Sequence, residues 1–167
     1  MVKKVTARVM ASAVVVGVLA GCGYSFPADT PNPCTLITAE QLQEILVLQF
    51  DAGVPKPDYS NEEQSVCQWS RTDDDRQFIQ VMVATGAERL QAERDDADGG
   101  TGTTADHEVS GADAAYYGMS GSLIGFTVDD YFVHIANYTA APGPRLETTT
   151  EVAAIVAGNM SAASSAS

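Results

Sequence analysis

Three cysteines, two histidines, a serine in a glycine-rich stretch and two runs of aspartate are where this 167-residue chain could do chemistry. Asp73-Asp74-Asp75 and Asp95-Asp96-Ala97-Asp98-Gly99 offer the carboxylate oxygens that hard cations require. An EF-hand loop starting at Asp96 needs an acid or amide at position 100 and a glutamate at 107, where the chain has Gly100 and His107. That loop fails, so the runs are expected as solvated acidic turns without a metal. His134 is expected on the face of its strand opposite the core, beside Phe132 and Thr127. No serine or cysteine near it carries a nucleophile context such as Gly-x-Ser-x-Gly. Ser120, in Gly118-Met119-Ser120-Gly121, lacks the second spacing glycine. No catalytic, cofactor or metal residue is assigned, and a hydrolase-like enzyme using His134 with an unseen partner is the weakest of the readings kept.

The N-terminus supplies an address. Lys3, Lys4 and Arg8 precede an apolar stretch over 9–20. About 12 residues make about 18 Å of helix, too short for a hydrocarbon core of roughly 30 Å. The pattern is a secretory signal. Leu19-Ala20-Gly21-Cys22 resembles the lipobox of bacterial lipoproteins. That resemblance implies lipidation of the Cys22 thiol, of the palmitate type, and removal of residues 1–21 as signal peptide. The protein is then expected on the extracytoplasmic face of the cell membrane, held by acyl chains, each CH₂ contributing about 0.8 kcal/mol. Removing residues 1–21 lowers Lys plus Arg from 9 to 6 against 22 acids, for a net charge of −16. Nucleic acid and anionic headgroups would repel such a chain. The partners expected are the membrane through Cys22 and an envelope protein or lipid ligand.

With Cys22 spent on lipid, two cysteines remain in an exported chain, and Cys34 with Cys67 most simply forms one disulfide. The loop closed from Cys34 to Cys67 spans 34 residues, which corresponds to about 3.8 kcal/mol in the chain-entropy model. Catalytic or metal use of the pair would need a third cysteine or a nearby histidine.

The elements that must position these groups follow from period and punctuation. Residues 22–32, with Pro27 and Pro31 among polar and small residues and Pro33 directly after, read as a flexible tether. Thr38 with Gln41 makes a capping box, Ile37 and Leu42 a hydrophobic staple, and Leu42, Ile45 and Leu46 an apolar stripe, so a helix starts there. Val66 to Ser70 and Phe78 to Thr85 read as a hairpin turning at Asp73–Asp75. Residues 87–96 are weakly helical, 95–106 a mobile loop, and Val109 to Tyr117 ambiguous. Leu123 to Val128 and Tyr131 to Tyr138 form a second hairpin around Asp129-Asp130. Its register sets Val128 against Tyr131, Phe126 against Val133 and Ile124 against Ile135. Thr148 with Glu151 suggests a second capping box before a closing helix, and 161–167 a disordered tail. The sum is one α+β domain over 33–160, an antiparallel sheet with helices packed on one face and one disulfide.

Asn32-Pro33-Cys34-Thr35-Leu36-Ile37-Thr38, Cys67-Gln68-Trp69 and the segment Val109 to Tyr116 together resemble a family of actinobacterial cell-envelope lipoproteins of unknown function. The glycine usual after that family's first helix is displaced here by Val47-Leu48-Gln49-Phe50. The resemblance implies a lipid-anchored envelope protein with a disulfide and supplies no catalytic residues. The leading expectation is a tethered binding or accessory module. The alternative is a carrier of lipid or another small apolar ligand: aromatics such as Trp69, Tyr116, Tyr117, Phe132 and Tyr138 would line a groove if the second sheet face is open, although packing beneath the closing helix is the expectation for them.

Overall fold

The structure, a computed structural model, describes residues 24–101 and 103–164. Strands β1 (Val54–Pro55), β2 (Gln64–Arg71), β3 (Asp74–Thr85), β4 (Ala105–His107), β5 (Ala114–Gly118), β6 (Leu123–Val128) and β7 (Tyr131–Asn137) form one antiparallel sheet. Their order is β1-β2-β3-β7-β6-β5-β4. Helices α1 (Ala39–Leu46), α2 (Arg89–Thr101) and α3 (Arg145–Ser164) complete an α+β domain.

Period-2 alternation decides which face is which. Ile79, Val81 and Val83 of β3, Ile124, Phe126 and Val128 of β6, and Val133 and Ile135 of β7 line the first face and are buried. The β6–β7 register pairs Val128 with Tyr131, Phe126 with Val133 and Ile124 with Ile135, as the sequence leads one to expect. Val152, Ala153, Val156, Ala157 and Met160 of α3, all at zero exposure, fill the space above these residues together with Leu42 and Leu46 of α1. Burying each large side chain contributes roughly 1.5–3 kcal/mol, so this face dominates the stability.

Helix α1 starts as its sequence dictates. Thr38 Oγ1 accepts from the Gln41 amide at 3.2 Å, and the Thr38 amide donates to Gln41 Oε1 at 3.0 Å. It ends at Val47, whose φ of 56° is left-handed, a conformation that glycine adopts freely and a β-branched residue does not.

Helices α1 and α3 cover one face, and α2 lies over part of the other. Leu90 and Ala97 of α2 pack against Ala84, Tyr116, Leu123 and Phe132. This corrects the expected loop over 95–106: helix continues to Thr101 and β4 follows. The sequence marks only 87–96 as weakly helical because α2 has no apolar stripe. Besides the packing of Leu90 and Ala97, it is held by Gln91 to Asp95 at 2.7 Å, by Arg89 to Glu93 at 3.1 Å and by the ion pair of Arg94 with Asp106.

Four smaller expectations are also corrected. The β2–β3 turn is Thr72-Asp73, with Asp74 and Asp75 already in β3. Helix α3 begins at Arg145, so Thr148 lies inside it and no capping box forms with Glu151. Its hydroxyl bonds back to the Arg145 carbonyl at 3.1 Å, as Thr149 does at 2.7 Å. The same helix runs to Ser164, into the segment expected as a disordered tail, because Met160 anchors its last turns in the core. Within the expected tether, Ala28 is buried and Thr30 Oγ1 bonds Ser65 Oγ at 2.8 Å, so this stretch lies against the β2 end of the domain.

Candidate functional site

Cys34 and Cys67 are joined, with Cα atoms 5.3 Å apart. Asn32 Oδ1 accepts from the Cys34 amide at 2.9 Å, which fixes the turn entering α1, while Cys67 shares the buried face of β2 with Trp69. The bridge therefore pins the helix entry to the sheet. Cys22, the lipidation candidate, lies outside the described residues.

His134 is where its strand predicts it, on the second face, opposite Met82 on β3 and Gly125 on β6. Its ring stacks on Phe132 with centroids 6.4 Å apart. Nε2 is sealed from solvent and has no hydrogen-bond partner. Burial pushes its pKa down to about 4, so the imidazole is neutral. Gly125 is required beside it. A Cβ there would run into the Tyr116 ring, which lies across that glycine. Among the described residues no serine, threonine or cysteine hydrogen-bonds His134 Nε2. Ser120, in a turn with φ of 54°, bonds neither histidine.

The aromatics do not make the groove considered above. Trp69 lies in the first-face core, and Tyr116 and Phe132 are buried beneath α2. Burial, with Glu93 adding to it, raises the Tyr116 pKa further above its usual range. Tyr138 is 45 % exposed, with its ring centroid 5.0 Å from that of Phe78.

Four of the six aspartates in the two runs pair locally: Asp95 accepts from Gln91 Nε2 at 2.7 Å and Asp98 from the Thr104 amide. Asp73 bonds Arg71. Asp74, held by Arg76 and Gln77, has its pKa lowered to about 2. Among the described residues no group of three or more His, Cys, Asp or Glu converges as metal ligands would.

The geometry draws attention to His107 instead. It sits on β4 opposite Ala115, and Nε2 lies 2.8 Å from Thr150 Oγ1 on α3. The Thr150 hydroxyl donates to the Leu146 carbonyl at 2.7 Å. Its one hydrogen is thus committed, His107 Nε2 is the donor, and the pair is a strut between sheet and helix rather than an activated nucleophile. Beside the strut runs an open groove of about 680 Å³, between the β4–β5 connection and α3. Val109, Ala115 and Ala154 supply its apolar wall, and Glu108, Asp113 and Glu151 its charge. Asp113 Oδ2 accepts from the Asp129 amide at 3.0 Å. Among the described residues Glu108 and Glu151 have no ion-pair partner, whereas Arg71, Arg76, Arg89 and Arg94 are all paired elsewhere. Nothing in the sequence joins Glu108 to Glu151. Their proximity depends on β4, which lies in the segment expected as loop.

Comparison with known proteins adds little. No protein-family model matches the chain, and no curated protein matches it. A solved structure described as a GTP-binding regulator from Thermotoga maritima is similar over 76 % of this chain and 93 % of its own, at 8 % identity and a TM-score of 0.39.

Proposed function

We propose that this chain is a lipid-anchored binding or accessory module on the extracytoplasmic face of the cell envelope, similar in kind to the actinobacterial lipoproteins it resembles. The address rests on Leu19-Ala20-Gly21-Cys22 behind a short basic and apolar leader. The observation that carries the binding role is the position of the open groove. The chain enters the domain at the β2 end, where Thr30 meets Ser65, and the groove lies at the β4 end. Five strand spacings separate the two, about 24 Å. An anchored domain built this way keeps the groove away from its own attachment point. The acid-lined, open groove favours a polar cationic partner over an acyl chain.

Fractionation of cells expressing Cys22→Ala tests the anchor. The alanine form is expected in the soluble extracytoplasmic fraction or as unprocessed precursor. Normal processing with tight membrane retention would refute the anchor.

A further inference from the structure

We propose that the groove docks a basic, extended peptide segment of a partner protein, which adds as a strand to the outer edge of β4 and sets a lysine or arginine among Glu108, Asp113 and Glu151. The proposal deepens the binding-module reading and rests on it.

Three observations converge. β4 ends the sheet, so among the described residues its outer edge has no strand beside it. Unpaired edge amides and carbonyls are a template for another chain, and main-chain bonds supply affinity while adjacent pockets supply specificity. A second open depression, lined by Asp106, His107 and Glu108, lies on β4 and its exit and shares His107 and Glu108 with the groove, so the groove adjoins the strand that ends the sheet. Charge then selects the occupant. The groove lining includes carboxylates and no lysine or arginine. Among the described residues Glu108 and Glu151 stand without an ion-pair partner, while Arg71, Arg76, Arg89 and Arg94 pair with other acids.

The wall chemistry agrees. Val109, Ala115 and Ala154 are small enough to leave room for the aliphatic stem of a long basic side chain while its head reaches the carboxylates. Asp106 is neutralised by Arg94 of α2, which leaves Glu108 and Glu151 as the attracting pair. A free small cation would use the carboxylates but gain nothing from the open edge, so a peptide uses more of what the structure offers. The groove is also remote from the β2 end, where the chain leads back toward Cys22, which disfavours lipid headgroups as the occupant.

The test uses the purified full chain in detergent and fluorescence anisotropy of a labelled octapeptide of alternating lysine and valine. Two further ligands are the same peptide with alternate backbone amides N-methylated, and spermidine as competitor. Saturable one-to-one binding is expected. It should weaken at least tenfold for the double variant Glu108→Gln with Glu151→Gln and at least tenfold on N-methylation, while spermidine displaces the peptide only at far higher concentration. Both glutamates are exposed, and a circular dichroism melt matching the parent shows the variant folded. Absence of saturable binding overturns the proposal, as does equal binding by the variant. Equal binding of the N-methylated peptide leaves only electrostatic adhesion and overturns strand addition. Spermidine competing on equal terms makes the groove a small-cation site and also overturns it. None of these outcomes bears on the anchor, which fractionation tests separately.

Discussion

At the β1–β2 end of the sheet Cys34 is bonded to Cys67, Trp69 is 1 % exposed and a complete capping box opens α1. At the β4 end a three-residue strand leans on α2, a helix whose single large apolar residue, Leu90, is half-buried. The first end is held by a covalent bond and dense packing. The second is held by hydrogen bonds and ion pairs near the surface, such as Arg94 with Asp106, and these contribute little each. Local opening free energy follows buried apolar contact, so the two ends should differ widely in how readily they open. The proposed docking edge lies at the looser end, where a strand can be added without disturbing the core.

Removing the covalent advantage should have the largest effect. Reduction, or Cys34→Ser with Cys67→Ser, is expected to cost about 2–5 kcal/mol, a large part of the stability of a domain this size. Denaturant melts with and without reductant measure it. An unchanged midpoint would show that packing alone holds the β2 end.

His134 tests the face shared by both ends. Its folded-state pKa, about 4, lies below the unfolded value of 6.5 because the buried ring resists protonation. The unfolded chain therefore binds a proton that the folded chain refuses between those values. Stability is full above about pH 6.5 and declines as pH falls toward 4, by about 3 kcal/mol in all. His134→Leu should remove that component of the pH dependence. Parent and variant showing the same change in midpoint between pH 7 and pH 4.5 would contradict the burial argument.

The contrast also explains what the sequence made legible. The β6–β7 register and the Thr38–Gln41 box follow from local pattern, since alternation and capping each leave a signature within a few residues, and the Cys34–Cys67 bond joins the two cysteines left once Cys22 is set aside. Helix α2 left none. Gly99 and Gly100 argue against a helix, which forms because Leu90 and Ala97 meet Tyr116 and Phe132 from distant strands. The start of α3 was misplaced because Arg145, bonding Ser122 Oγ at 2.8 Å and the Thr139 carbonyl at 3.1 Å, ties its first turn to the sheet ahead of the threonines. The groove was invisible for the same reason: Glu108 and Glu151 meet only through β4 and α3.

A smaller loss is expected at the loose end. Leu90→Ala should cost about 1–2 kcal/mol, below the value for a fully buried leucine, and should speed hydrogen exchange over α2 and β4 before it affects β2 or β3. Uniform acceleration across the sheet would erase the distinction between the ends. The smallest effect is a gain. Val47 is 73 % exposed and left-handed, so Val47→Gly relieves strain without losing packing and should stabilise by about 0.5–1 kcal/mol, read from the same denaturant melts. A loss on that substitution would mean that the valine side chain contributes more than its exposure suggests.

The central claim, an exported domain anchored by its first mature residue, is tested most directly by mass spectrometry of the natively produced protein digested without reduction. The account predicts an N-terminal peptide that begins at Cys22 and carries acyl chains, together with a linked peptide pair containing Cys34 and Cys67. A chain that retains residues 1–21, or one with a free Cys22 thiol, would contradict it.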